Sequence, residues 1–174
     1  VPLTFLTGGA RSGKSAVAVR RAGRTGAPVV FVATGEAGDA EMADRITRHR
    51  AERPSRWSTV EAPTDLVEAL AGLAPGQTIL VDCLSLWVSN LMGRGVDEAG
   101  TLDRAHALGR WATAYPGEVV VVTNEVGSGI VPMHPVSRDY RDRLGRVNAV
   151  VAGYAALAQL VVAGRTLTLD PPED

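Results

Sequence analysis

The sequence predicts an α/β fold with a mostly parallel central sheet and helices on both faces. Two observations carry this. Short apolar runs rich in β-branched residues recur at Leu3–Thr7, Val29–Ala33, Ser58–Glu61, Thr78–Asp82, Val119–Thr123 and Thr166–Leu169, separated by mostly helical stretches. Such alternation is expected of parallel strands covered on both sides. The first run leads directly into Gly8-Gly9-Ala10-Arg11-Ser12-Gly13-Lys14-Ser15, which matches the phosphate-loop pattern G-x-x-x-x-G-K-[ST] at every fixed position.

Taken in order, the first strand is an uninterrupted apolar run and Ala16–Ala22 continues the loop as a helix. Strand, glycine loop and helix N-terminus together aim backbone N–H groups and the positive end of a helix dipole at an anion. A plain glycine turn also satisfies the bare pattern, but leaves this strand-to-helix setting unused. Helices are expected over 14–24, 39–52, 64–72, 84–92, 101–114 and 137–163, with Asp39, Thr64 and Ser137 as N-caps. Gly93–Gly100 and Gly127–Pro135 read as surface loops. The longest helix begins charged, with Arg138, Asp139, Arg141, Asp142, Arg143 and Arg146, and turns apolar beyond Asn148. Its first half is expected to meet ligand or solvent, and its second half to pack, with a subunit contact suggested by the breadth of its apolar surface.

The chain of 174 residues, 45% of them hydrophobic, fits one nucleotide-binding domain over 1–169 with a flexible tail at 170–174. With 18 Lys and Arg against 19 Asp and Glu, its net charge of −1 leaves no overall electrostatic footprint for nucleic acid. Cys83, the single cysteine, excludes an internal disulfide and any cysteine-based metal cluster. No stretch reaches the roughly 18 apolar residues of a membrane span, and the expected compartment is the cytoplasm.

Lys14 is the only lysine; the other 17 cationic side chains are arginine. An ammonium is kept where a compact point charge must reach between β- and γ-phosphates. The fourth strand ends in Asp82, as a Walker B strand does, so that Asp82 with the Ser15 hydroxyl is the candidate Mg²⁺ pair. The same carboxylate position also suits a cap of the following helix. Together these features predict a RecA-like phosphate-loop NTPase fold. The fifth strand places Asn124 and Glu125 at the carboxyl edge of the sheet, where open α/β folds bind ligands.

Helical spacing puts Arg45, His49 and Arg53 on one face, with Pro54 ending the helix. Guanidiniums on either side disfavour protonation of His49 and leave a nitrogen able to attack phosphorus. A solvated basic face accounts for the same spacing, and the pattern alone leaves both readings open. His106 reads as a surface or packing residue, His134 as a loop residue, and Trp57, Trp87 and Trp111 as core or packing aromatics. Cys83 reads as a small buried hydrophobe beside the site.

An ordered series of segments extends these motifs. It runs from Thr7–Ser15 through Ala33-Thr34, Glu41-Met42, Arg45-Ile46, His49-Arg50, Arg53-Pro54, Trp57, Thr59 and Glu61. It continues with Asp82-Cys83-Leu84, Ser89-Asn90-Leu91, Thr123–Pro132, Arg138–Asp142, Gly145-Arg146 and Asn148. In these the chain resembles the bifunctional adenosylcobinamide kinase / adenosylcobinamide-phosphate guanylyltransferase family of cobalamin biosynthesis. Two positions depart from it: Tyr140 stands where Phe is common, and Ala149 where Gln often follows the Asn.

The resemblance implies that His49 is the guanylylated residue and that Arg50, Ala51, Glu52, Arg53 and Glu61 help hold the guanine nucleotide. It implies that Ala33, Thr34 and Gly35 line the nucleotide site beside the phosphate loop, and that Asp82 has a nucleotide or metal role. Asn124, Glu125, Arg138, Arg141 and Asn148 become candidates for the corrinoid side. The implied substrates are GTP, ATP, adenosylcobinamide and its phosphate, with Mg²⁺ as cofactor and a homotrimeric assembly. Two rival readings use the same phosphate loop: a simple small-molecule kinase with an arginine lid, and a nucleotide-dependent switch without substrate chemistry.

Overall fold

The computed structural model describes residues 3–38, 40–51 and 53–172, without the side chains of Glu41, Met42, Arg45, Arg48 and His49. Its strands are β1 (Leu3–Thr7), β2 (Val29–Ala33), β3 (Ser58–Glu61), β4 (Thr78–Asp82), β5 (Val119–Val122), β6 (Leu157–Val162) and β7 (Arg165–Leu169). Its helices are α1 (Lys14–Gly23), α2 (Ala40–Ala51), α3 (Leu66–Ala71), α4 (Leu84–Gly93), α5 (Glu98–Ala114) and α6 (Pro135–Gly153). All seven strands join one sheet in the order β3-β2-β4-β5-β1-β6-β7. Every pairing is parallel except the antiparallel β6–β7 hairpin.

The central strands β1, β4 and β5 are apolar on both faces because helices cover both. On one side Ala18 and Ala22 of α1 pack with Leu6, Phe31, Leu80, Val120 and Trp57. On the other, a larger core gathers Leu66 and Leu70 of α3, Trp87 and Leu91 of α4, Leu108 of α5 and Leu144, Val147 and Val151 of α6. Trp57 and Trp87 are buried and Trp111 stacks on Tyr115 at 4.7 Å between ring centroids, so the tryptophans pack as expected.

One predicted element is wrong. The apolar run expected to continue a helix to 163 breaks after Gly153 and becomes β6, which pairs with β1 from Thr4–Leu157 to Thr7–Leu160. Ala, Leu and Gln favour a helix locally, but β1 needs a partner on its free side, and pairing overrides propensity. The tight turn at Ala163 (φ 51°) and Gly164 (φ 73°) returns the chain as β7, the two-residue geometry of a type I′ hairpin. Part of the apolar surface read as a subunit contact is covered within this chain, with Val147 and Val151 in the core and 157–162 in the sheet, while Val162, Leu167 and Leu169 stay exposed.

Smaller corrections concern helix ends. Residues 98–100, read as loop, are the first turn of α5, because the Asp97 carboxylate accepts from Gly100 N at 2.8 Å and caps the helix. The residue before α3 is Asp65 rather than Thr64, and α6 starts at Pro135 after His134 rather than after Ser137. Pro suits that first helical position because its missing N–H is not needed there. Asp39 lies outside the described residues. No helix is long and apolar enough to cross a membrane among the residues described.

Helices α5 and α6 meet at Gly109, where a Cβ would stand 2.1 Å from Cδ2 of Tyr154. The Tyr154 hydroxyl is in turn 3.1 Å from His106 Nδ1, which makes His106 a packing residue as expected. Gly109→Ala should destabilise the protein by about 1–3 kcal/mol through overpacking, despite the ~1 kcal/mol that Ala gains over Gly in a helix. Urea denaturation measures it, and an unchanged midpoint would show that the Tyr154 ring moves aside freely.

Candidate active site

The phosphate loop joins β1 to α1 and is held from three directions. Glu125 N donates to Gly8 O at 3.1 Å, Lys14 Nζ to Gly9 O at 3.1 Å, and Gly164 N, in the β6–β7 turn, to Ser12 O at 2.7 Å. Gly8 has no room for a side chain, since a Cβ there would meet Val161 O at 2.5 Å. Gly13 sits at φ 93° immediately before α1, with its Cβ position 3.1 Å from Gly164 Cα. These two glycines are thus required by close approach and by backbone conformation respectively. Gly9, Ala10 and Arg11 are exposed on the outer side of the loop.

Lys14 and Ser15 open onto a cleft of about 150 Å³ at the carboxyl edge of the sheet, and Asp82 at the end of β4 lines the same cleft. Strand β5 lies between the strands that carry these groups, and Asn124, just beyond its end, lines the cleft as well. Ser15 and Asp82 supply hard oxygen donors. That set fits Mg²⁺, which takes one or two protein oxygens and completes its shell with phosphate and water. Among the described residues no cluster of three His, Cys, Asp or Glu forms an all-protein metal site.

The opposite wall comes from β2, α2 and β3. Ala33 and Gly35 line the cleft, and so do Arg50, Arg53 and Glu61. Arg50 is ion-paired with Glu61, while the Arg53 guanidinium lies 3.3 Å above the Phe31 ring, a cation–π contact. Burial lowers the Arg53 pKa from its ordinary value, and the nearby Asp82 carboxylate works against that shift. His49 lies in α2 between Ile46 and Arg50, both of which line the cleft; its side chain is not among those described. Ala51 ends α2 and is exposed, and Glu52 lies outside the described residues.

Thr34 is buried and works behind the wall. Its hydroxyl donates to Cys83 O at 2.6 Å and accepts from Cys83 N at 2.8 Å, while Thr34 O accepts from Asn90 Nδ2 at 2.7 Å. The Asp82–Cys83 peptide bond, at the centre of this network, is cis.

Of the residues assigned to the corrinoid side, Asn124 alone lines the cleft. Asn148 holds it, with Nδ2 donating to Asn124 O at 3.0 Å and Oδ1 accepting from Thr123 Oγ1 at 2.8 Å. The Glu125 carboxylate accepts from Gly127 N and Ser128 N, Arg138 donates to the carbonyls of Pro132 and Met133, and Arg141 pairs with Asp142. These three shape the loop and the start of α6.

Sequence reasoning missed Phe31, Ile46, Ser85, Leu86 and Tyr140 as cleft residues. Tyr140 was noted only as a departure from Phe. Its hydroxyl donates to Ser85 O at 3.1 Å, Ser85 Oγ accepts from Asn124 N at 2.9 Å, and burial pushes its pKa up to about 12.

Two predictions arise here. Gly164→Val, at a positive φ beside the loop, should weaken nucleoside triphosphate binding about tenfold or more. Titration calorimetry measures this, and wild-type affinity would show that the hairpin does not hold the loop. Burial and the Asp82 charge raise the Cys83 thiol to about 11 from 9.0. The folded protein then retains a proton that the unfolded chain releases, so this contribution is intact below pH 9 and lost as pH rises towards 11. It amounts to at most about 2–3 kcal/mol. Cys83→Ala should flatten the fall in stability over that window, measured by denaturant titration at successive pH values.

The architecture has counterparts among solved structures. It superposes on the RadB recombinase with a TM-score of 0.53 at 15% identity, covering 91% of this chain and 73% of that one. It superposes on the ATPase EscN of an enteropathogenic Escherichia coli secretion system with a TM-score of 0.58 at 11% identity, covering 93% and 43%. At these identities the likeness concerns the phosphate-loop NTPase fold. Sequence relatives are closer. The chain is 41% identical over 167 residues to the bifunctional adenosylcobalamin biosynthesis protein CobP of Pseudomonas aeruginosa, covering 95% of each. It is 38% identical over 178 residues to CobU of Escherichia coli (strain K12), covering 93% of this chain and 96% of the relative. Residues 4–169 match the family model described as cobinamide kinase / cobinamide phosphate guanyltransferase. With a phosphate loop, an Asp82 strand and an arginine-bearing α2 around one cleft, the chain belongs to the cobinamide kinase / cobinamide phosphate guanyltransferase family.

Proposed function

We propose that this enzyme phosphorylates the aminopropanol hydroxyl of adenosylcobinamide and then transfers GMP from GTP to the new phosphate through a guanylylated His49. Family membership supplies the two activities. The observation that carries the mechanism is the single cleft in which Lys14 and Ser15 share walls with Asp82, Arg50, Arg53 and Glu61. A triphosphate held by the loop is thereby presented to the helix that contains His49.

In the kinase step Lys14 and the loop N–H groups stabilise charge spread over the transferred phosphoryl oxygens, the dominant contribution in this chemistry. Mg²⁺, when bound at Ser15 and Asp82, neutralises further phosphate charge. In the second reaction the neutral His49 nitrogen attacks the α-phosphorus of GTP. A nitrogen–phosphorus bond forms, the bond to the β-phosphate oxygen breaks, and pyrophosphate leaves. The phosphate of adenosylcobinamide phosphate then attacks the same phosphorus, breaks the phosphoramidate bond, yields adenosylcobinamide-GDP and frees His49. The covalent step suits a weakly nucleophilic phosphate monoester, because its partner arrives activated and positioned. Arg50 and Arg53 offset phosphate charge, and Arg50 is itself oriented by Glu61.

The test is intact-protein mass spectrometry after incubation with Mg²⁺ and GTP. Wild type should gain an acid-labile GMP adduct and His49→Ala none, with much of the variant's kinase activity retained. Equal loss of both activities in folded His49→Ala would refute the division of labour. An absent adduct under conditions where GTP binds would favour a simple kinase. Lys14→Ala should impair both reactions, since both draw on triphosphate held by the same loop.

A further inference from the structure

A second groove, of about 640 Å³, runs beside the nucleotide cleft between the end of α4, the start of α5 and the first turns of α6. Tyr140 lines both, so the two spaces share a wall. On the α6 side Val136, Asp139, Tyr140 and Arg143 fall on one helical stripe, and Ser89, Met92 and Val96 face them. Arg143 forms part of the groove's lining with only 8% of its surface exposed. Its Nη1 donates to Val96 O at 2.7 Å, its Nη2 to Asp139 at 2.9 Å, and its Nε is buried without a partner among the described residues.

We propose that this groove seats the corrin macrocycle of cobinamide while its aminopropanol arm passes Tyr140 into the nucleotide cleft. The inference rests on the cobinamide kinase reading. Size agrees: pockets for sizeable ligands occupy roughly 300–1,000 Å³, a range in which the groove of about 640 Å³ falls. Chemistry agrees, because a macrocycle with an apolar face and peripheral carboxamides needs a lining that is both apolar and hydrogen-bonding. Met92, Val96 and Val136 supply the first; Ser89, Asp139 and Arg143 supply the second. Met133 and Val136 are 89% and 67% exposed, extending apolar surface from the groove along the loop before α6. Asp139 and Arg143 of the charged first half of α6 thus belong to a binding wall.

Ser89 and Val136 are exposed and hold no hydrogen bond of the nucleotide site, so Ser89→Arg and Val136→Arg test the groove without disturbing that site. Each should raise the KM for adenosylcobinamide by about tenfold or more. GTP affinity and the extent of GMP labelling with Mg²⁺ and GTP should stay at wild-type values, which also shows that the variants fold. Wild-type KM for adenosylcobinamide in both variants would overturn the groove assignment alone. Failure of the wild-type enzyme to turn over adenosylcobinamide would overturn the kinase reading and the groove with it.

Discussion

A loop that offers its backbone N–H groups to phosphate has to be held in shape through its other atoms. Here the holding bonds fall on its carbonyls: Gly8 O takes Glu125 N, Gly9 O takes Lys14 Nζ, and Ser12 O takes Gly164 N. The partners come from β5's far end, from α1 and from the β6–β7 turn, so the loop's geometry depends on the assembled sheet. Through the Gly164 N–Ser12 O bond a C-terminal hairpin, remote in sequence and exposed along β7, bears on the shape of this loop. A Cβ at Gly13 would stand 3.1 Å from Gly164 Cα, and both glycines hold a positive φ at which a side chain is strained.

The second wall of the cleft is organised by charge. Arg50 and Arg53 bring two guanidiniums beside a third cation, Lys14, around a space of about 150 Å³. Like charges so placed repel in the absence of an anion, and the fold offsets this with Glu61, Asp82 and the Phe31 ring face. Under the proposed function a bound triphosphate supplies the remaining negative charge. Behind them, Thr34 and Asn90 satisfy the backbone polar groups around Cys83. Buried polar groups left unpaired there would cost about 1–3 kcal/mol each, which is why the wall can be both buried and polar.

Strands, most helices and the cleft residues around the phosphate loop were legible because they are local. β1, the glycine loop and α1 form one continuous stretch, and Ser15, Ala33, Gly35, Arg50, Arg53, Glu61 and Asp82 are announced by motif or by neighbouring sequence. Tyr140, Ser85 and Leu86 were not, since each lies in a helix whose composition says nothing about the cleft that its face will meet. Glu125, Arg138, Arg141 and Asn148 show the converse. Their residue types suit a ligand, yet their side chains serve loop and helix contacts that only the fold creates.

The sequence by itself determined the alternation of strand and helix, the position of the phosphate loop and the chemistry placed in it. Each of these follows from side-chain periodicity or from backbone conformations that glycine permits within a few residues. Tertiary structure decided that 157–162 is a strand, because the open side of β1 recruits it against local helix propensity. It also decided that β5 lies between the Lys14 and Asp82 strands and that α4, α5 and α6 enclose a second groove beside the first. Pairing partners and helix-to-helix spaces arise between segments far apart in the chain, and no local pattern encodes them.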